Sequence, residues 1–129
     1  MWYDNLDKNK FLISLYNNVP DLNNVKIQEL TFSREKDLIK LIFDMPKFAD
    51  NIPKKWLNTG SNTISVELNF WNIQNLKMNF NNLLCRANIK ITNDNEKLRV
   101  ILDGDMNCEF FSEYGMIQRI EAYIEEKLS

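Results

Sequence analysis

The clearest periodicity in the chain runs from Ile64 to Phe70, where Ile64, Val66, Leu68 and Phe70 alternate with Ser65, Glu67 and Asn69 before Trp71. A period of two sends these apolar side chains to one face of an extended strand and the polar ones to the other. Similar signals recur on both sides. "VKIQELTFS" puts Val25 and Ile27 in one phase and Leu30 and Phe32 in the opposite one, which predicts a strand with a bulge near Gln28 and Glu29. The turn "REKD" returns the chain through "LIKLIFDM", whose Ile39, Leu41 and Phe43 alternate, so the two segments predict a hairpin. After the polar break "NIQN", Leu76, Met78 and Phe80 predict a further strand, and Cys85, Ala87, Ile89 and Ile91 another. "NDNE" is a turn, "KLRVIL" leads to Asp103-Gly104, which favours a tight hairpin, and Met106, Cys108 and Phe110 lie on the return strand.

Helical spacing appears near the start, where Phe11, Leu12, Leu15, Tyr16 and Val19 follow Asp7 as a candidate cap and Pro20 closes the segment. At the other end, Ile117, Ile120, Tyr123 and Ile124 suit a helix while Met116, Ile120, Ala122 and Ile124 suit a strand; a strand fraying into a short helical tail is the reading adopted. Between Pro46 and Asn62 there is no period, and Pro46 and Pro53 oppose regular structure. Together these signals predict one domain over residues 1–129, mainly β (α+β). In it, a helix around Phe11 to Asn18 packs on an antiparallel, meander-like curved sheet or sandwich of roughly seven or eight strands. Phe11, Leu15, Val25, Ile27, Leu41, Phe43, Ile64, Val66, Leu68, Phe70, Met78, Ile89, Val100 and Phe110 are the expected core.

Composition narrows the chemistry. The formal charge of −2 and pI of 5.2 leave no basic footprint for phosphate backbones, so nucleic acid is not an expected partner. "MWYDNLDKNK" lacks the basic start and apolar core of a signal peptide, and no apolar run approaches bilayer length; a cytoplasmic protein with no membrane partner is expected. In that compartment Cys85 and Cys108 are expected as buried free thiols. The absence of histidine excludes Ser-His-Asp and Cys-His nucleophile systems, and two cysteines cannot complete an all-cysteine zinc site. Three glycines write neither a phosphate loop nor a dinucleotide fingerprint. No enzyme, cofactor or metal is expected.

The remaining candidates are binding residues. In "DGDMNCE", Asp103, Asp105, Asn107 and Glu109 alternate, but Cys108 and Tyr114 stand where a calcium loop needs glycine and glutamate. The plainer reading is a hairpin followed by a solvated strand face, whose carboxylates suit steering toward a basic partner. Trp56, in the long loop, suits either a partner anchor or an aromatic folded back over an open end of the sheet. Trp71 shares the polar face of its strand with Glu67 and Asn69 and is the better candidate for exposure.

"LYNNVPDLNNVKIQEL", then "MPKFADNIPKKW" followed by "NTISVELNFWNIQNLKM", resembles the immunity protein 50 family of bacterial polymorphic toxin systems. The positions that carry the likeness are Leu15, Tyr16, Pro20 and Leu22, then Pro46, Pro53 and Trp56 before Val66, Leu68 and Phe70. The resemblance implies a mainly β protein encoded beside a toxin, which it neutralises by stoichiometric binding. "NFNNLL" departs from the small residue and aromatic expected after the Leu76 strand, and because the shared positions look structural, no functional residue carries over. A second class stays open: a β domain with an apolar pocket for a small ligand. A neighbouring gene for a secreted protein with a toxin-like C-terminal domain favours the first, and a large enclosed cavity the second.

Overall fold

A computed structural model describes residues 1–81 and 85–126. Helix α1 (Lys10–Leu15) precedes six strands: β1 (Val25–Ser33), β2 (Leu38–Asp44), β3 (Thr63–Phe80), β4 (Arg86–Asp94), β5 (Lys97–Gly104) and β6 (Met106–Tyr123). The pairings between these strands are antiparallel, and the order β1-β2-β3-β6-β5-β4 closes on itself as a barrel. The expected mainly β class with an N-terminal helix holds, but with six strands among the described residues in place of seven or eight and with two meanders joined into one closed sheet.

The strand count falls because "NIQN" is not a break. Asn72 and Asn75 adopt positive φ angles of 58° and 55°, a region that asparagine enters more easily than most side chains. The register against β6 skips between Gln74 and Lys77, so the chain bulges and continues as β3. In β1 the skip between Ile27 and Glu29 occurs where the phase change placed it. It sets Leu30 opposite Leu41 and Phe32 opposite Ile39, both interior positions. Phe32 nevertheless stays 41% exposed, because among the described residues the β1–β4 ladder spans Val25 and Lys26 and does not extend along β1 to Phe32.

Phe43, Phe70 and Phe110 fill the interior together with Leu41, Ile64, Leu68, Leu102 and Met106. The N-terminal segment closes one side of this core with Trp2, Leu6, Leu12, Leu15 and Leu22. Trp2 sets its ring edge-on to Phe43 at 6.1 Å and donates its indole N–H to the Pro20 carbonyl at 3.0 Å, so its one polar group is satisfied. Helix α1 stops at Leu15 instead of reaching Asn18. The Asn51 N–H takes the Leu15 carbonyl at 3.0 Å, Tyr16 turns extended, and its hydroxyl donates to the Lys47 carbonyl at 2.7 Å. The long loop therefore ends the helix before Pro20 can. Asn9, not Asp7, occupies the cap position, and its side chain makes no capping bond. Leu12 and Leu15 take the inward face, leaving Phe11 38% exposed rather than in the core.

Of the two turns expected in this part of the chain, "NDNE" forms as expected, while Asp103-Gly104 does not make the hairpin turn. The last β5–β6 pair is Leu102 with Cys108; beyond it Gly104 pairs with Ala87 of β4 and Met106 with Phe80 of β3. The strands diverge at Asp103-Gly104 instead of making a tight hairpin. The tight reversal is at Asn95 and Glu96, both with positive φ, between the paired Asp94 and Lys97. The ambiguous C-terminal segment is strand through Tyr123; residues 124–126 are not helical, and the rest of the expected tail, 127–129, lies outside the described residues. Cys85 and Cys108 are free, and burial pushes the Cys108 thiol up to about 11.

Candidate partner-binding surface

Because Ile64, Val66, Leu68 and Phe70 point inward, Glu67, Asn69 and Trp71 stand on the outer face of β3, flanked by β2 and β6. Trp71 is half-buried. Its ring lies 5.4 Å from that of Tyr114 at an interplanar angle of 32°, and its neighbour across β2 is Leu38. Tyr114 pairs with Trp71 and shares its outer face, while two residues earlier the Ser112 hydroxyl, itself buried, donates to a main-chain carbonyl and accepts the Tyr114 N–H, and lies 2.7 Å from the Trp71 oxygen. The Tyr114 hydroxyl donates to Asp7 at 2.6 Å. This bond, with that from the Lys8 N–H, holds the Asp7 carboxyl below its usual range and raises the Tyr114 phenol. Asp7 thus braces the aromatic pair instead of capping the helix.

Asn69 is 7% exposed, so the row is not uniformly open. Its amide nitrogen donates to Gln118 at 3.4 Å, while its carbonyl oxygen has no hydrogen-bond partner among the described residues. Glu67 is half-buried between Ile42 and Arg119. The face accordingly presents an aromatic centre, Trp71 with Tyr114, beside a polar flank. Sequence reasoning missed Tyr114 and Asp7. Tyr114 lay between the strand expected at Met106 to Phe110 and the ambiguous segment that begins at Met116, in residues assigned to no element, and Asp7 was read as a local cap.

The carboxylates do not form one cluster. Asp103 is exposed and accepts the Asn88 amide at 3.1 Å. Asp105 accepts the Arg86 N–H at 2.8 Å, which fixes the start of β4. Glu109 accepts Nε and Nη2 of Arg99 at 3.0 and 2.7 Å on a single oxygen, across the β5–β6 ladder. Among the described residues, no three His, Cys, Asp or Glu side chains are grouped to hold a metal ion. Trp56 is elsewhere again, on a short 3-10 turn, half-buried with its ring 5.8 Å from Phe11 and 6.3 Å from Phe48, and with Lys55 over both Phe11 and Trp56. It packs back onto the helix and the loop rather than across strands of the sheet.

At the end of the barrel, Asp44 is a buried carboxylate that accepts bonds from Gln28 and from the Tyr123 hydroxyl. Burial first, then this bond, pushes the Tyr123 phenol far up. The group ties β1, β2 and β6 together. Among the described residues, no helix is long and apolar enough to cross a membrane.

Geometrically the chain is an antiparallel β-barrel with a side-chain-filled interior and an aromatic patch on its outer wall. Its residues 8–123 match the model of the family described as Immunity protein 50, and the chain belongs to that family. No curated protein matches it. It is similar to the crystal structure of an uncharacterized protein from Neisseria gonorrhoeae, at 16% identity and a TM-score of 0.50, over 75% of this chain and 92% of that chain; the likeness is one of fold.

Proposed function

We propose that this protein neutralises a cognate toxin in the cytoplasm of the producing cell by stoichiometric binding and without catalysis, through the outer face centred on Trp71. Membership of the immunity protein family, matched over residues 8–123, carries the reading. The Trp71–Tyr114 pair supports the choice of face. Large aromatics held rigid before binding lose little entropy on docking and dominate binding hot spots. A standard interface removes roughly 800 Å² from each partner, a tenth of the 8008 Å² this protein exposes, so one barrel face suffices. The filled interior gives the apolar-pocket alternative no support: Phe43, Phe70 and Phe110 occupy the space such a ligand would need.

The test uses the toxin domain encoded by the neighbouring gene, with binding kinetics at two ionic strengths and a growth-protection assay. Trp71→Ala is expected to weaken binding by about 2 kcal/mol or more. Because Trp71 also packs on Tyr114, the folded fraction of the variant is checked by thermal unfolding. Asp103→Asn with Asp105→Asn is expected mainly to slow association and flatten its salt dependence, since asparagine can still accept the Arg86 N–H. Unchanged affinity for folded Trp71→Ala removes this face and turns attention to Trp56 and its loop. Absence of a complex with the wild-type protein sinks the toxin-binding reading itself.

A further inference from the structure

Beyond Trp71, strand β3 loses its neighbour on one side. The β2–β3 ladder ends at Leu38 with Trp71, and Asp37 takes the next two β3 amides, its carbonyl accepting Asn72 N–H at 3.1 Å and its carboxylate Ile73 N–H at 3.0 Å. From Lys77 to Phe80, β3 pairs with β6 alone among the described strands. An unpaired strand edge is a template for another strand, and proteins commonly blunt it with charges, proline or bulges. Here the bulge lies upstream at Asn75, there is no proline, and Lys77 is the one charge between Leu76 and Phe80.

The side chains along this edge are also apolar on one face. Met78 lies opposite Cys108 and Phe80 opposite Met106, whose side chains are buried in the barrel interior. Met78 and Phe80 therefore have the inward phase, yet are 38% and 59% exposed. Met78 was expected in the core. The phase was right, but among the described residues no strand besides β6 lies alongside to bury it.

We infer that this edge pairs antiparallel with the same segment of a second copy of the chain, about a two-fold axis at Met78. The segment is self-complementary in that register. Leu76 then faces Phe80 of the second copy, Met78 faces Met78, and Lys77 faces Asn79, so the apolar side chains form one stripe and the two lysines are not directly opposed. Moving the axis to Lys77 sets like charges against each other. The pairing leaves Trp71 about 23 Å away along the strand from Met78, at about 3.3 Å per residue, so the dimer and the toxin-binding face proposed above are independent.

Sedimentation velocity across a concentration series of about 1–200 µM tests it. The wild-type protein is expected to shift from 15.3 kDa toward twice that mass as concentration rises. Met78→Lys, at a partly exposed position, places two cations across the axis and is expected to raise the dimer dissociation constant at least about tenfold while the monomer stays folded. A second measurement reads the register. Lys77→Cys and Asn79→Cys lie on the face opposite Cys108, and cross-strand Cα separations of about 4.5–5.5 Å suit a disulfide. Mild oxidation is expected to cross-link a mixture of the two variants and neither variant alone. A wild-type protein monomeric throughout the range, a dimer indifferent to Met78→Lys, or cross-linking of either variant by itself overturns the inference. So does a monomer whose β3 edge becomes protected from amide exchange only when toxin is added, which assigns the edge to the toxin.

Discussion

Phe70→Ala is expected to lower the unfolding free energy by about 3–5 kcal/mol, among the largest losses available in this chain. Phe70 is fully buried, and its ring meets that of Phe110 edge-to-face at 5.3 Å and 73°. Across the ladder it faces Gly115, where a Cβ would come within 2.8 Å of Phe70 and of Leu98 and 2.9 Å of Leu6. The ring thus fills space that a glycine opposite leaves open, and the backbone there offers nothing to collapse into the cavity. Urea denaturation measures the loss. In a double-mutant cycle with Phe110→Ala the pair should couple by about 0.5–1.5 kcal/mol, the part of the contact that depends on both rings. Phe70→Leu, losing about 1–2 kcal/mol, keeps the comparison measurable if the alanine variant does not fold. A loss below about 1.5 kcal/mol for Phe70→Ala would mean that Phe70 is not the centre of the core.

Gly104→Ala is expected to cost about 2–6 kcal/mol, the sum of overpacking and backbone strain of about 1–3 kcal/mol each. Its added Cβ would stand 2.5 Å from the Arg86 carbonyl oxygen and 2.9 Å from Ala87 Cα, both main-chain atoms of β4, and its φ of +147° lies where side chains are rarely tolerated. No side-chain rotation relieves a clash with backbone. The same Arg86 carbonyl accepts the Asp105 N–H at 2.8 Å, so moving it disturbs the point where β4, β5 and β6 meet. Thermal unfolding monitored by circular dichroism reads the effect, and a change within about 0.5 kcal/mol would show that β4 yields without cost.

Much of this arrangement was legible before the structure. Alternation located the strands of the β1–β2 hairpin, the first part of β3 and β4, because each buries one face and so carries a clean period. The phase change at Gln28 announced the bulge in β1. The same reasoning failed at "NIQN", because asparagine supplies a left-handed backbone equally to a turn and to a bulge. Pairing with β6 decided between them. It failed at Phe11 for a related reason: helical spacing allowed several inward faces, and the loop that ends α1 at Leu15 selected the one with Leu12 and Leu15 inward.

The candidate surface divides along the same line. The sequence by itself determined that Glu67, Asn69 and Trp71 share the outward face of a strand, and that without histidine or a glycine-rich loop several familiar catalytic designs cannot be built. Local period is a property of neighbouring residues, so it needs no tertiary information. Only the tertiary structure decided that Trp71 stacks on Tyr114, that Asn69 is covered, that Asp7 leaves the helix to brace that tyrosine, and that Asp103, Asp105 and Glu109 serve different partners. Each of these depends on which strand lies beside which, and at what register. A period of two says which face a side chain takes and nothing about its neighbour across the ladder, which the closure of the barrel supplies.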